Sequence, residues 1–442
     1  MVGRAPSVER HPRCSVQRPQ RRVEMAQDKD RGVLVIGGGI AGITAAVEAA
    51  EVGCPVHLVE REPYLGGRVV GFDQYFPKFC PPTCGMEINF RRIKTNPLIR
   101  YYTMAEVVEV GGVEGDFKVK VLVRPRYVND RCTACGKCAE VCETEIPNPF
   151  NYGMDKLKAA YLPHEMAFPM RYVLAPQIIG TEEAKRCLEA CPYGAIELDM
   201  APVTIELNVA SIVLATGWQP YDATRMDNLA FAKAPNVITN LMMERLHAAN
   251  GPTKGKVLRP SDGKPPHTVI FCQCAGQRDE NHLRFCSRVC CSASLKQVQY
   301  VRRQYPDSEV YVFYIDLRAL GRNEDLLAEV QKDRKVHLIK GKVARIEEDP
   351  STHNLMVEAE VTATGRISRT MADLVVLATG MMPTAVSSRP AGLPVTYDED
   401  GFVLDGAGLY GAGCAKRPME VSATVQDATS AALKAIQSAL RR

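Results

Sequence analysis

The sequence contains no run of 18 apolar residues, so no segment of it reads as a membrane-spanning helix. It also lacks a charge surplus across its body. The net charge of +4 resides in residues 1–24, where six Arg stand against two Glu, and the remainder of the 442 residues is balanced. Without a basic field there is no electrostatic footprint for nucleic acid. The basic leader has no apolar core, which excludes a secretory signal, and Arg21-Arg22 is followed by nothing that a twin-arginine signal needs. Residues 1–31 read as a disordered basic leader, with Met25 as an alternative start. The 8 His show no metal or catalytic spacing, and no acid–base or nucleophilic triad is visible.

What is present begins at Gly32. Val33-Leu34-Val35-Ile36 is an apolar, β-branched run of the kind that forms a buried parallel strand. Gly37-Gly38-Gly39-Ile40-Ala41-Gly42 follows and matches G-x-G-x-x-G. In that motif the first glycine makes the turn, the second admits a pyrophosphate, and the third packs the helix on the strand. An Ala-rich helix over residues 43–51 would aim its first N–H groups at the phosphates. A second strand, Val56 to Val59, ends at Glu60, with Arg61 beside it, where an acid binds ribose hydroxyls. These parts in register predict a dinucleotide site.

Gly67 and Arg68 follow the acid in Leu65-Gly66-Gly67-Arg68-Val69. Two apolar strands downstream end alike, at Ala215-Thr216-Gly217 and at Ala378-Thr379-Gly380, and Gly408 to Gly413 leads into a helix over residues 421–440. This set resembles the two-dinucleotide-fold flavoproteins of the thioredoxin reductase type. The resemblance implies an α/β Rossmann-type fold and FAD as cofactor, with Val107 near the adenine and Gly413 and Cys414 closing the site. Cys414 departs from the acid most such proteins carry there. Arg68 and Lys416 are candidates for steadying reduced flavin by charge.

Sixteen cysteines, grouped and without a secretory signal, point to metal or redox work rather than disulfides. Cys132, Cys135, Cys138 and Cys142 form the C-x2-C-x2-C-x3-C run of a bacterial ferredoxin, and Cys191-Pro192 supplies the distant fourth ligand. One [4Fe–4S] cluster is expected on Cys132, Cys135, Cys138 and Cys191, with zinc as the alternative. Cys142 and Cys187 are left without the two further ligands a second cluster in this insert would need. Farther on, the strand Thr268 to Phe271 reads as the opening of a second nucleotide domain, yet no glycine fingerprint follows, so the pyrophosphate of NAD(P)H would have no cradle. Cys274, Cys286, Cys290 and Cys291 stand there instead, as a four-thiolate site of unusual spacing, as redox-active dithiols or as buried thiols. Cys272 is left over. Cys80 and Cys84, in a Pro-rich loop, either place a thiol near the flavin or are buried small hydrophobes.

The boundaries expected are FAD-domain segments over 32–123, 202–222 and 373–442, a ferredoxin-like insert over 124–201, and a second domain over 223–372. The combination of FAD fingerprint, inserted ferredoxin and C-x11-C-x3-C-C resembles the A subunits of heterodisulfide reductase. Residues 79–93, 135–163, 215–246 and 273–283 look more narrowly like the A subunits of quinone-interacting membrane-bound oxidoreductase complexes. That resemblance implies an electron relay between membrane quinone and adenylylsulfate (APS) reductase in sulfate reduction or sulfur oxidation. The heterodisulfide reductase resemblance implies a [4Fe–4S] cluster on Cys274, Cys286, Cys290 and Cys291 near the flavin, which makes two clusters with the one in the insert. The narrower resemblance also implies partners: a second flavin and iron–sulfur subunit, together with a membrane haem subunit, holding the protein on the cytoplasmic face of the membrane. The competing classes are a stand-alone NAD(P)H-dependent disulfide reductase using Cys80 and Cys84, and a module in which flavin serves only as scaffold.

Overall fold

The computed structural model describes residues 31–440, so the expected basic leader, but for Arg31, lies outside the described residues. The fully buried strand β1 (Gly32–Ile36) runs into helix α1 (Ile40–Glu51), and β2 (Val56–Val59) lies parallel to β1. Helix α2 (Pro82–Thr95) leads to β3 (Ile99–Tyr102), and an antiparallel pair follows, β4 (Ala105–Val113) and β5 (Asp116–Val123).

The chain then leaves the sheet. The insert carries two short helices, α3 (Lys137–Glu140) and α4 (Glu182–Glu189). Two small ribbons accompany them: β6 (Glu145–Pro147) with β7 (Lys156–Lys158), and β8 (Ala160–Tyr161) with β9 (Val173–Leu174). Its small core gathers Val128, Leu174, Ile178 and Ile196 around buried cysteines. The chain re-enters on the long strand β10 (Val203–Leu214), whose first residue pairs with Val123, the last of β5. The first half of β10 is antiparallel to β5, and its second half runs parallel to β1.

The next segment crosses on β11 (Trp218–Pro220), then forms β12 (Val237–Thr239), helix α5 (Asn240–His247), β13 (Thr268–Ala275), helix α6 (Cys290–Gln304), β14 (Glu309–Tyr314) and helix α7 (Asn323–Lys332). Strands β15 (Val336–Glu348), β16 (Leu355–Val361), β17 (Arg366–Ala372) and β18 (Leu374–Thr379) complete a second sheet of order β12-β18-β13-β14-β15-β16-β17. Strand β15 runs unbroken past Gly341, where a Cβ would stand 2.1 Å from the Glu360 carbonyl oxygen. One expectation changes here: the third FAD segment does not begin at residue 373, since β18 pairs with β12 and β13 in the second sheet. Its run of six buried residues shows no one-sided pattern, so the sequence alone does not tell which sheet it joins.

The chain returns on β19 (Met381–Pro383), antiparallel to β11. After the ribbon β20 (Thr396–Tyr397) and β21 (Val403–Leu404), β22 (Leu409–Gly411) joins the first sheet beside β10. Helix α8 (Val421–Leu440) lays Ala428, Ala431, Ala432 and Ala435 in the core cluster that holds Ala41, Ala45, Ala46 and Ala49 of α1. Alanine on both helices permits this close approach.

The first FAD segment and the second domain meet at a buried ion pair. Lys296 of α6 and Glu244 of α5 are 2.8 Å apart at 3% and 4% side-chain exposure. Lys296 Nζ also donates to the Gln74 carbonyl (2.6 Å), and the Asp73 N–H donates to Glu244 (3.2 Å). Lys296→Met leaves Glu244 charged and buried with its main counter-ion gone. The variant is expected to lose about 3–5 kcal/mol of stability in denaturant unfolding, as broken buried pairs do.

Candidate flavin and cluster sites

The glycines at the first strand–helix turn have separate tasks. Gly37 holds φ +106°, and a Cβ on it would stand 2.3 Å from the Ala215 carbonyl oxygen. A Cβ on Gly42 would lie 1.8 Å from the Gly37 oxygen, so any side chain there drives α1 off the sheet. Gly39 differs. It is extended, its nearest neighbour on that side is Gly67 Cα at 3.9 Å, and its open face borders a cavity of about 870 Å³. That is the open cradle a dinucleotide phosphate requires.

Gly39, Ile40, Ala41, Glu60, Arg61, Gly67, Arg68, Thr216, Gly217 and Cys414 all line this cavity. Gly37, Gly42, Ala215 and Gly413 support it from behind. Gly413 takes φ +60°, and a Cβ there would press on Thr424 (2.7 Å) and Ala41 (3.0 Å). Val107 does not line it; its buried side chain packs with Leu34, Val59 and Val119 under the sheet. Strand alternation turns Val107 inward. Arg68 reaches the Trp218 carbonyl (2.6 Å) and lies over the Trp218 ring at 5.3 Å, tying the first segment to β11. Lys416 is not at the cavity: it faces Asp405 (3.4 Å) and Asp427 (3.9 Å).

Where Cys414 replaces the expected acid, Asp427 of α8 accepts the Gly413 N–H (2.8 Å). No sequence motif marks Asp427; only the folded helix brings it back to the loop. Cys414 is buried against Thr424 and the Met419 carbonyl. Glu60 accepts the N–H of Gly38 (2.6 Å) and of Glu62 (2.7 Å) while lining the cavity. Burial raises its pKa from 4.5 to about 7, against those two hydrogen bonds. Cradle, acid and helix terminus fit FAD, with Gly39 and the start of α1 placed for the pyrophosphate and Glu60 for a ribose.

Cys132, Cys135, Cys138 and Cys191 line one small hollow, together with Gly136 and Tyr172. Gly136 takes φ +84°, which turns the loop between the second and third cysteines. Backbone N–H groups point at two of the sulfurs, Ala134 at Cys132 (3.4 Å) and Ala195 at Cys191 (3.3 Å). Cys142 and Cys187 are apart from this hollow, buried in the core of the insert, where Cys187 donates to the Cys138 carbonyl (3.4 Å).

In the second domain, β13 shifts register between Cys272 and Ala275, and Cys274 takes φ +57° at the break. The bulge separates the two thiols: Cys272 stays in the strand core, and Cys274 turns toward α6. Burial raises Cys274 to about 11 and Cys290 to about 12, with the neighbouring thiols of the same set adding to each shift. Cys274, Cys286, Cys290 and Cys291 are thus mutual neighbours, and of the four only Cys290 lines the large cavity. Among the described residues, no three His, Cys, Asp or Glu converge tightly enough to hold a single metal ion. The donor set at each site is four thiols and nothing else, the set that iron–sulfur clusters use. Cys80 and Cys84 are both exposed, so the buried reading of that loop does not hold, and Cys80 lines the cavity. The loop from Gln74 to Cys80 and the α5–α6 face with Glu244, Lys296 and Gln297 extend the cavity beyond the fingerprint, a wall that no motif announced.

Fold and cradle together define a two-dinucleotide fold with a cradle shaped for FAD. Residues 32–75 match the FAD dependent oxidoreductase family. Thioredoxin reductase of T. acidophilum shares the fold at TM-score 0.51 and 13% identity, over 93% of this chain and 99% of that one. Thioredoxin reductase of Lactococcus lactis does so at 0.50 and 15%, over 93% and 100%. In sequence, the chain is 39% identical to an iron–sulfur A subunit of the CoB–CoM heterodisulfide reductase of Methanopyrus kandleri, over 96% of this chain and 66% of that protein. It is 38% identical to the corresponding A subunit of Methanocaldococcus jannaschii, over 94% and 64%. The chain is a homologue of the A subunits of heterodisulfide reductase and spans just under two thirds of the length of these relatives.

Gly39→Ala suits the local backbone, so it should fold as wild type and lose flavin. Absorbance of the purified protein and FAD titration should show at least about tenfold weaker binding. At Glu60 two readouts should slope oppositely. The folded pKa of about 7 exceeds the unfolded value, so the stability Glu60 contributes to the flavin-free protein is full below 4.5 and lost as pH rises through about 7. FAD affinity should instead rise with pH over that window, because a ribose hydroxyl donates to the ionised carboxylate. Glu60→Gln should flatten both, read by thermal melts and FAD titration at several pH values.

Proposed function

We propose that this protein is the FAD and iron–sulfur electron-transfer subunit of a heterodisulfide reductase-like complex. It passes electrons between the quinone pool and adenylylsulfate reductase in dissimilatory sulfur metabolism. The observation that carries the relay is Cys290. It stands at the strand–helix crossing of the second domain, where a nucleotide would sit on a glycine loop, and it opens onto the flavin cavity. One [4Fe–4S] cluster on Cys274, Cys286, Cys290 and Cys291 would border the flavin, and a second on Cys132, Cys135, Cys138 and Cys191 lies in the insert. Bound FAD exchanges electrons in pairs or singly, which lets it join two-electron chemistry to one-electron carriers. The chain's residues seat it and hold the Cys290 thiol at its edge.

The narrower assignment rests on the four sequence strings that resemble quinone-interacting complexes. Under it, the partners are a second flavin and iron–sulfur subunit, together with a membrane haem subunit, and the chain is peripheral to the cytoplasmic face of the membrane. Among the described residues no helix is long and apolar enough to cross a membrane, so under this reading contact with the bilayer comes through partners.

Anaerobically purified protein should contain about one FAD and about eight irons with matching sulfide. Cys286→Ser should remove about half the iron, and NADPH should leave the flavin colour unchanged. Iron-free protein bleached by NADPH would replace the relay with a disulfide reductase centred on Cys80, which is exposed at the cavity wall.

A further inference from the structure

The residue after the second-domain bulge, Gln277, serves none of the roles assigned so far, yet it is only 2% exposed. Its amide makes four contacts. Nε2 donates to the Ala378 carbonyl at the end of β18 (3.1 Å) and reaches Cys290 Sγ (3.3 Å). Oε1 accepts the Ser287 N–H (3.0 Å) and lies 3.7 Å from Cys290 Sγ, while the backbone N–H of Gln277 donates to the Cys274 carbonyl (3.1 Å). The two backbone partners determine which end is nitrogen. A flipped amide would set oxygen against the Ala378 carbonyl and NH2 against the Ser287 N–H. An N–H is therefore aimed at the sulfur of Cys290, the one thiol of its set that borders the flavin cavity.

The surroundings hold that amide in place. Gly276 takes φ +70° and Arg278 φ +53°, and a Cβ on Gly380 would stand 2.5 Å from Gln277 Cγ. Ser287, which donates to Gln277, also accepts the Met381 N–H through Oγ (2.8 Å). Left-handed backbone on both sides, strained at Arg278, and a glycine cut to fit the side chain are what an over-determined functional position looks like. In the insert the sulfurs of Cys132 and Cys191 receive only backbone N–H groups. The second-domain set adds a side-chain donor that a mutation can remove without moving the backbone.

We propose that Gln277 is a positioning residue that raises the reduction potential of the second-domain cluster through its hydrogen bond to Cys290. The inference rests on the cluster reading above. A donor to a coordinated thiolate offsets negative charge, and reduction adds negative charge, so the bond favours the reduced cluster. The step it governs is a one-electron exchange at the ligand nearest the flavin.

The test is an EPR-monitored redox titration of the anaerobically purified full chain, with Cys286→Ser used to assign the two signals. Gln277→Met fills the same space without a donor, and Gln277→Glu keeps the acceptor for Ser287 while removing the N–H. In both, the reduced-to-oxidised ratio of the second-domain signal at the wild-type midpoint should fall about tenfold, equivalent to about 59 mV for one electron. The insert signal should not move. An unchanged second-domain midpoint in either variant overturns the proposal. So does loss of that signal in both variants with flavin and far-UV circular dichroism intact, because Gln277 would then serve assembly rather than potential. Absence of a second signal in the unmutated protein would instead remove the cluster itself, a failure visible before any variant is made.

Discussion

A single carboxylate holds the parts of this molecule in register. Glu244 is buried, and it accepts from Lys296 Nζ, Gln297 Nε2 (2.6 Å), Tyr300 OH (3.3 Å) and the Asp73 N–H (3.2 Å). A charge removed from water is tolerable only when donors surround it. Here one donor comes from the first FAD segment and three from α6, the helix that starts at Cys290 and Cys291. His247 stacks on Tyr300 with ring centroids 3.7 Å apart and pairs with Asp73 (2.8 Å), closing the arrangement. Next in sequence, Arg245 bonds Asn151 of the insert (2.8 Å) and the Gly71 carbonyl (3.2 Å). Two neighbouring residues on α5 thus bind all three regions that carry cofactor-site residues.

The flavin cradle is readable in the sequence because its chemistry is backbone chemistry. Gly37, Gly39 and Gly42 act through what they lack, and a missing Cβ is visible in one dimension. Glu60 is readable for a similar reason, since a strand of known length delivers its last residue to a known place. Val107 is not, because resemblance fixes a strand position but not which side of the strand a contact uses. Asp427 is invisible: fourteen residues separate it from Gly413, and only the packing of α8 on α1 makes them neighbours. The strand at residues 374–379 reads into the wrong sheet, for a run buried on both faces carries no sign of its partners.

The two thiol sets contrast in the same way. In the insert, spacing alone groups three cysteines, and the Cys-Pro that follows completes them around one hollow. In the second domain, spacing puts Cys272 and Cys274 on equal terms. The break in β13 pairing separates them, leaving one in the core and sending the other toward α6. Gln277 follows from that same break, and no pattern of residue types would have singled it out.

The insert departs from Val123 and comes back at Val203, and those two residues face each other across a hydrogen-bonded ladder. The host sheet therefore experiences roughly eighty residues as it would a tight hairpin turn. Strands β11 and β19, which lead to and from the second domain, are likewise paired. Each graft enters and leaves through one doorway, so lengthening, exchanging or deleting it leaves strand order in the parent sheet untouched. A lineage could therefore have gained or traded redox modules on this scaffold one at a time, each variant inheriting an already closed flavin fold.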